Sequence, residues 1–226
     1  MFYENVRHGI FLSRPNRFLA HVELDGKREV CHVKNTGRCR ELLVPGAQVF
    51  VQYRDGAKRK TSYDLIAVNK GGRLINMDSQ APNPVFAEWV RRSGYFQDVT
   101  RVRPEFAYGN ARLDFLIEAG GRRILAEVKG VTLEENGVAL FPDAPTERGV
   151  KHLRTLQEGL ADGYDAYAVF IIQMKNVGHF MPNDQTHKAF GDALRMACER
   201  GVKLLALDCA VTETSITATG FVDIRL

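Results

Sequence analysis

Asp114, Glu127 and Lys129 are the residues whose types and spacing could do chemistry: two carboxylates able to share a divalent cation, and an ammonium able to stabilise developing negative charge. They flank Gly120-Gly121. A Gly-Gly pair between two strand-like runs, here 112–118 and 122–129, marks a two-residue hairpin, because both turn positions tolerate positive φ. Pairing Ala119 with Arg122 puts Asp114 opposite Glu127 and Arg112 opposite Lys129. Residues two apart in a strand share a face, so Asp114, Glu127 and Lys129 are expected on one side of the sheet. Leu113, Phe115, Ile117, Ile124, Ala126 and Val128 are expected on the other. Directly opposed side chains have Cβ atoms roughly 4.5–5.5 Å apart, and two carboxylates at that distance repel unless a cation separates them. The alternative is a structural ion cluster in which Lys129 balances two acids.

These residues need a scaffold, and 226 residues with 45% hydrophobic content suffice for one large domain or two modest ones. No run approaches the roughly 20 apolar residues that cross a bilayer, and Met1-Phe2-Tyr3-Glu4-Asn5 lacks a signal-peptide layout, so a cytoplasmic protein without a membrane partner is expected. Cys31, Cys39, Cys198 and Cys209 form no CxxC and no ligand-spaced cluster with histidine, and read as buried, reduced thiols. The formal charge of +4 is unevenly spread. Residues 1–60 carry twelve Lys/Arg against six Asp/Glu, whereas residues 61–226 carry nineteen against twenty-one. That asymmetry suggests an N-terminal module for a polyanion; a solvated basic face is the bland reading.

The N-terminal part reads as short strands over 17–24, 28–33, 47–53, 62–69 and 73–76, with a short helix over 36–43. Five or six strands with a small helix between the third and fourth fit an OB-like closed barrel. Asn76 to Pro84 reads as a boundary, giving domains 1–80 and 81–226. Beyond it the pattern predicts a helix over 85–92, a strand over 99–106, the acidic hairpin, a helix over 146–160, an apolar strand over 166–174, a helix over 185–200 and a strand over 202–208. Helix, three strands, helix, strand is the core layout of the PD-(D/E)XK nuclease fold. Asp114 and Glu127-Val128-Lys129 occupy that fold's motif positions. The fold class expected is therefore α+β or α/β with two domains: an OB-like barrel, then a PD-(D/E)XK nuclease-like mixed sheet with flanking helices.

Glu127-Val128-Lys129-Gly130-Val131-Thr132-Leu133 followed by Phe141-Pro142-Asp143-Ala144-Pro145-Thr146-Glu147-Arg148-Gly149-Val150-Lys151-His152-Leu153 resembles the sugar fermentation stimulation protein A (SfsA) family. The resemblance extends to Arg112-Leu113-Asp114-Phe115, Asn35-Thr36-Gly37-Arg38 and Lys58-Arg59-Lys60, covering nearly the whole chain. It implies a DNA-binding protein associated with regulation of sugar utilisation genes. The nuclease motif adds a Mg²⁺- or Mn²⁺-dependent phosphodiesterase site. Asp114, Glu127 and the Val128 carbonyl would hold the metal, with Glu88 an extra ligand or simply a solvated helix carboxylate; Glu105 is a similar case. Two other readings stay open: a non-enzymatic DNA-binding regulator that kept the nuclease fold, and an RNA-processing nuclease.

Nucleic acid, DNA first, is the expected partner. Lys58, Arg59 and Lys60 lie in a barrel loop, and Arg17, Arg38 and Arg40 are placed with them on one face, where they would neutralise phosphates. Arg148, Lys151 and His152, with Asp143 nearby, surround a helix start that favours phosphate. His152 reads more simply as a hydrogen-bonded structural histidine than as a proton carrier. Phe18, Tyr53 and Tyr63 could stack on bases, but each alone reads as barrel core. No helix-turn-helix or zinc finger appears, so recognition of a specific operator is not expected.

Overall fold

A computed structural model describes residues 1–226 apart from Thr36, Ala57 and Lys58. Five strands close the N-terminal barrel: β1 (Val6–Asn16), β2 (Leu19–Leu24), β3 (Lys27–Val33), β4 (Gln48–Tyr53) and β5 (Tyr63–Lys70), in the order β3-β2-β1-β4-β5. Parallel pairing of β3 with β5, from Cys31↔Tyr63 to Val33↔Leu65, closes the ring. Alternating apolar residues such as Val22, Cys31, Val49, Val51 and Leu65 fill it, and all are buried. β6 (Arg73–Asn76) extends β5 through a hairpin whose Gly71 and Gly72 both take positive φ.

Two local expectations fail in the barrel. The first strand, β1, has no clear signature in the sequence, because His8, Gly9, Arg14 and Pro15 break its alternation. Gly9 is there for packing: a Cβ would meet Val22 and Leu24 of β2 at 2.5 Å. The short helix expected over 36–43 is not formed among the described residues. A single turn replaces it, with the Cys39 carbonyl, from a residue at φ 44°, accepting from the Leu42 and Leu43 amides.

The second unit is a six-stranded mixed sheet in the order β15-β14-β12-β9-β8-β7. It contains β7 (Val99–Tyr108), β8 (Ala111–Ala119), β9 (Arg122–Val131), β12 (Asp165–Ile172), β14 (Lys203–Val211) and β15 (Ile216–Phe221). β12 runs parallel to both β9 and β14. A small sheet of β10 (Leu133–Glu135), β11 (Val138–Phe141) and β13 (His179–Pro182) lies between. One face of the large sheet is covered by α1 (Pro82–Arg92), where Phe86 packs edge-on to Phe115 at 5.6 Å. The other is covered by α2 (Glu147–Ala161), whose Val150, Leu153 and Leu156 are buried, with α3 (Asp184–Glu199) beside it. Thr146 caps α2, its hydroxyl accepting from the Gly149 amide at 3.0 Å. No helix among the described residues is long and apolar enough to cross a membrane.

The two units meet across a buried polar seam. Gln173, 1% exposed at the end of β12, donates to Asn76 Oδ1 at 2.9 Å and to the Asp78 carbonyl at 3.0 Å, and its own carbonyl accepts from the Asn76 amide. The segment leading into α1 is thereby fixed to the end of the sheet where the candidate residues lie.

Candidate metal centre

The Gly-Gly turn folds as expected. Gly120 and Gly121 have φ of 53° and 73°, and β8 pairs with β9 from Ala119↔Arg122 to Phe115↔Ala126. The ladder then stops one residue short of Asp114↔Glu127. β9 continues along β12, with Glu127 beside Ala168, while the start of β8 pairs only with β7. In the resulting fork the Asp114 carboxylate replaces a strand carbonyl: Oδ2 accepts from the Val128 amide at 2.8 Å and Oδ1 from the Asn83 side chain at 2.9 Å. Asp114 therefore turns into the ladder instead of lining up with Glu127 and Lys129 on one face. Leu113 correspondingly packs with Leu116 and Leu125 in the core beneath α2, whereas Phe115, Ile117, Ile124, Ala126 and Val128 pack towards α1. Arg112 pairs with Glu105 of β7 at 3.2 Å, not opposite Lys129.

Glu127 is held differently. Its Oε1 takes both the Lys129 ammonium and His152 Nδ1, while Oε2 is buried without any hydrogen-bond partner. Arg148 Nε donates to His152 Nε2 at 3.3 Å, which makes that nitrogen the acceptor and leaves the ring proton on Nδ1, facing Glu127. Burial pushes the Glu127 carboxyl up, but His152 and Lys129 together outweigh it and hold the group below its usual range. Asp114 moves the other way: burial first, then the charge of Glu127, raise it despite the Val128 amide, Lys129 and Asn83.

A half-buried Asp114, raised by desolvation and by its neighbour, and a buried Glu127 with an orphaned oxygen suit a hard divalent cation. Among the described residues no three His, Cys, Asp or Glu side chains form a ready cage.

The structure sorts the remaining candidates. Glu88 faces away, pairing with the Met1 ammonium at 2.8 Å and with Arg92 at 2.7 Å; the α1 residue that reaches Asp114 is Asn83. Exposed Arg148 and Lys151 stand on the first turns of α2, and Lys151 Nζ donates to the Asn110 carbonyl at 3.3 Å. His152 is 4% exposed, too buried for direct phosphate contact, and acts on Glu127 instead. In the barrel the basic residues separate into two groups. Arg59 is tied to the buried Asp64 beside Lys34 and Arg54, while Arg17, Arg38 and Arg40 line a different depression. Lys60 is exposed and Lys58 lies outside the described residues. Tyr63 is barrel core, but Phe18 and Tyr53 are 51% and 41% exposed. Of the cysteines, Cys31, Cys39 and Cys209 are buried, with thiols pushed up to about 12 chiefly by burial, whereas Cys198 is exposed.

A model of the SfsA N-terminal OB domain matches residues 12–77, and one of the sugar fermentation stimulation protein RE domain matches residues 80–215. The chain belongs to the SfsA family. A sugar fermentation stimulation protein homolog from Desulfitobacterium hafniense strain Y51 is 65% identical over 100% of this chain and 99% of its own length. A homolog of the same name from Clostridium beijerinckii is 57% identical over the whole of both chains. The solved structure of Pyrococcus furiosus SfsA in complex with Ca²⁺ superposes with a TM-score of 0.90 at 28% identity, covering 100% of this chain and 98% of that one. The family assignment agrees with the barrel and the nuclease-like mixed sheet described above.

Asn83, which holds Asp114, and Gln173, which holds the seam, are residues that the sequence does not single out. Asn83 sits between Pro82 and Pro84, which read as a linker; proline at a helix's first position is the available signal that α1 begins there. Nothing in the sequence marks Gln173, whose role depends on the seam.

Proposed function

We propose that this SfsA-family protein is a DNA-binding phosphodiesterase that uses a divalent cation, Mg²⁺ or Mn²⁺, held by Asp114, Glu127 and the Val128 carbonyl. The observation that carries the reading is the buried, unpartnered Oε2 of Glu127 beside an Asp114 whose ionisation is disfavoured. A cation there relieves both. Pyrococcus furiosus SfsA, a relative of the same fold, is a complex with Ca²⁺, which supports a divalent site. When bound, such an ion supplies charge for a phosphoryl oxygen and lowers the pKa of a coordinated water.

The chain's own residues have separate tasks in this reading. Asn83 and the Val128 amide fix Asp114 in the fork. His152 and Lys129 occupy Glu127 Oε1 and leave Oε2 free for the ion. Lys129, 20% exposed at its side chain, is the cation able to leave Glu127 and steady charge on the transferring phosphoryl group. Arg148 and Lys151 take flanking phosphates. The barrel, residues 1–80, binds backbone, and residues 81–226 carry the chemistry.

The test is incubation of the purified protein with labelled single- and double-stranded DNA and RNA in Mg²⁺ or Mn²⁺, alongside Asp114→Asn and Lys129→Ala. Metal-dependent cleavage lost in both variants is expected, with DNA preferred. Cleavage that survives both substitutions removes the assignment, and binding without cleavage in the wild type makes the protein a regulator on a nuclease fold.

A further inference from the structure

We infer that the barrel engages nucleic acid through a surface organised by Arg14, on which Arg17, Arg38 and Arg40 take the backbone and Phe18 stacks on an unpaired base. This inference rests on the proposed nucleic-acid function and names its surface and the state of the strand.

Arg14 is the organiser because of where its guanidinium goes. It donates to four carbonyls: Arg17 at 2.8 Å, Asn35 at 2.8 Å, Gly37 at 3.0 Å and Arg38 at 2.7 Å. One side chain thus ties the β1–β2 turn to the segment following β3. Asn16 Oδ1 fixes the turn from within, accepting from the Phe18 and Leu19 amides at 2.9 and 3.0 Å. With their backbones pinned, the exposed side chains of Arg17, Arg38 and Arg40 line one open depression of about 350 Å³. Among the described residues none of the three pairs with a carboxylate, whereas Arg59 across the barrel is tied to Asp64.

Two further features set the ligand. Ala144 of the second unit lines the same depression, and a Cβ at Gly37 would run into the Asp143 carboxylate, so the barrel surface abuts the segment that launches α2. Arg148 and Lys151 follow within seven residues of Ala144. A strand lying over the three arginines therefore meets the segment that leads to Arg148 and Lys151. Phe18, 51% exposed with the Arg17 guanidinium 5.9 Å from its ring centre, offers a π-face at the edge of the depression. A duplex hides the faces of its bases, so that platform suits a single strand.

The experiment is fluorescence anisotropy with a labelled 20-nucleotide single-stranded DNA and the matching duplex, using the full chain in EDTA across a range of KCl concentrations. For the single strand, Arg17→Ala/Arg38→Ala/Arg40→Ala should weaken binding more than tenfold and reduce the salt slope by about 2, at roughly 0.7 per phosphate contact. Phe18→Ala should weaken single-strand binding about tenfold and leave duplex binding unchanged. Lys60→Ala should weaken single-strand binding less than the triple variant does. Thermal melts matching wild type would show that the variants are folded. An unchanged slope in the triple variant, or a larger loss from Lys60→Ala, overturns the surface; equal loss on both probes for Phe18→Ala overturns the single-strand assignment. In EDTA the result is independent of any metal at Glu127, so absent cleavage leaves it standing and its failure leaves the metal site standing.

Discussion

The molecule sets two pairs of carboxylates beside a lysine, buried Asp64 with Asp78 in the barrel and half-buried Asp114 with buried Glu127 in the sheet, and surrounds only the first with partners. Lys34 bonds Asp78 at 2.8 Å and lies 3.6 Å from Asp64, which also faces Arg59, Arg54 and His32. Asp78 accepts further from the Gln80 amide at 2.9 Å, and every oxygen of the two acids has a cation or an amide within 4 Å. In the sheet pair, the Lys129 ammonium and His152 Nδ1 gather on one oxygen of Glu127, the other has no partner, and Asp114 resists ionisation. A buried acid cluster built for structure satisfies itself, because each unpaired buried charge is costly. One left incomplete is what the proposed cation would complete.

Substitution should separate the two pairs by sign. Asp64→Asn leaves Lys34 and Arg59 without their anion and should destabilise the protein by about 3 kcal/mol, the lower end for breaking a buried pair because Arg54 and Arg59 still reach solvent. A melting temperature lower by roughly 6–12 °C is the readout; a neutral result would mean that the barrel cluster is no more finished than the sheet pair. Asp114→Asn should do the reverse in metal-free protein, stabilising it by about 1 kcal/mol at neutral pH, since an amide still accepts from the Val128 amide and carries no charge against Glu127. The sign follows from Asp114 being raised: its ionisation costs stability at pH above the folded-state value, and the cost disappears as pH falls through that value towards about 3.9, the unfolded carboxyl. The advantage of the asparagine should therefore shrink in acid. Melts over pH 3–8 (about 3.9 being the unfolded reference) check this, and a destabilised asparagine variant at neutral pH would contradict it.

The sequence discloses the site's chemistry better than its geometry. The Gly-Gly turn and strand alternation are enough to pair Ala119 with Arg122 and to select Asp114, Glu127 and Lys129. They cannot reveal the fork, because whether a ladder continues depends on what competes for the strand's amides, and here the competitor is the Asp114 side chain itself. Asn83 and His152 illustrate the same limit from opposite directions. The nuclease resemblance puts Glu88 forward as an extra ligand on α1, but the prolines start α1 early enough for Asn83 to reach Asp114 and leave Glu88 to the N-terminus. His152 stands out for its place near a helix start, yet its burial against Glu127 makes it a positioning residue. In the barrel, charge counting merges two arginine groups that Asp64 and Arg14 hold apart.

The central claim is that the unfinished pair is a cation site, and titration of Mn²⁺ into the full chain, read by the loss of the free-ion electron paramagnetic resonance signal, tests it most directly. Saturable binding is expected for the wild type and for a Lys60→Ala control, abolished in Asp114→Asn and in Glu127→Gln. Binding that persists unchanged in both carboxylate variants, or no binding by the wild type, would contradict it.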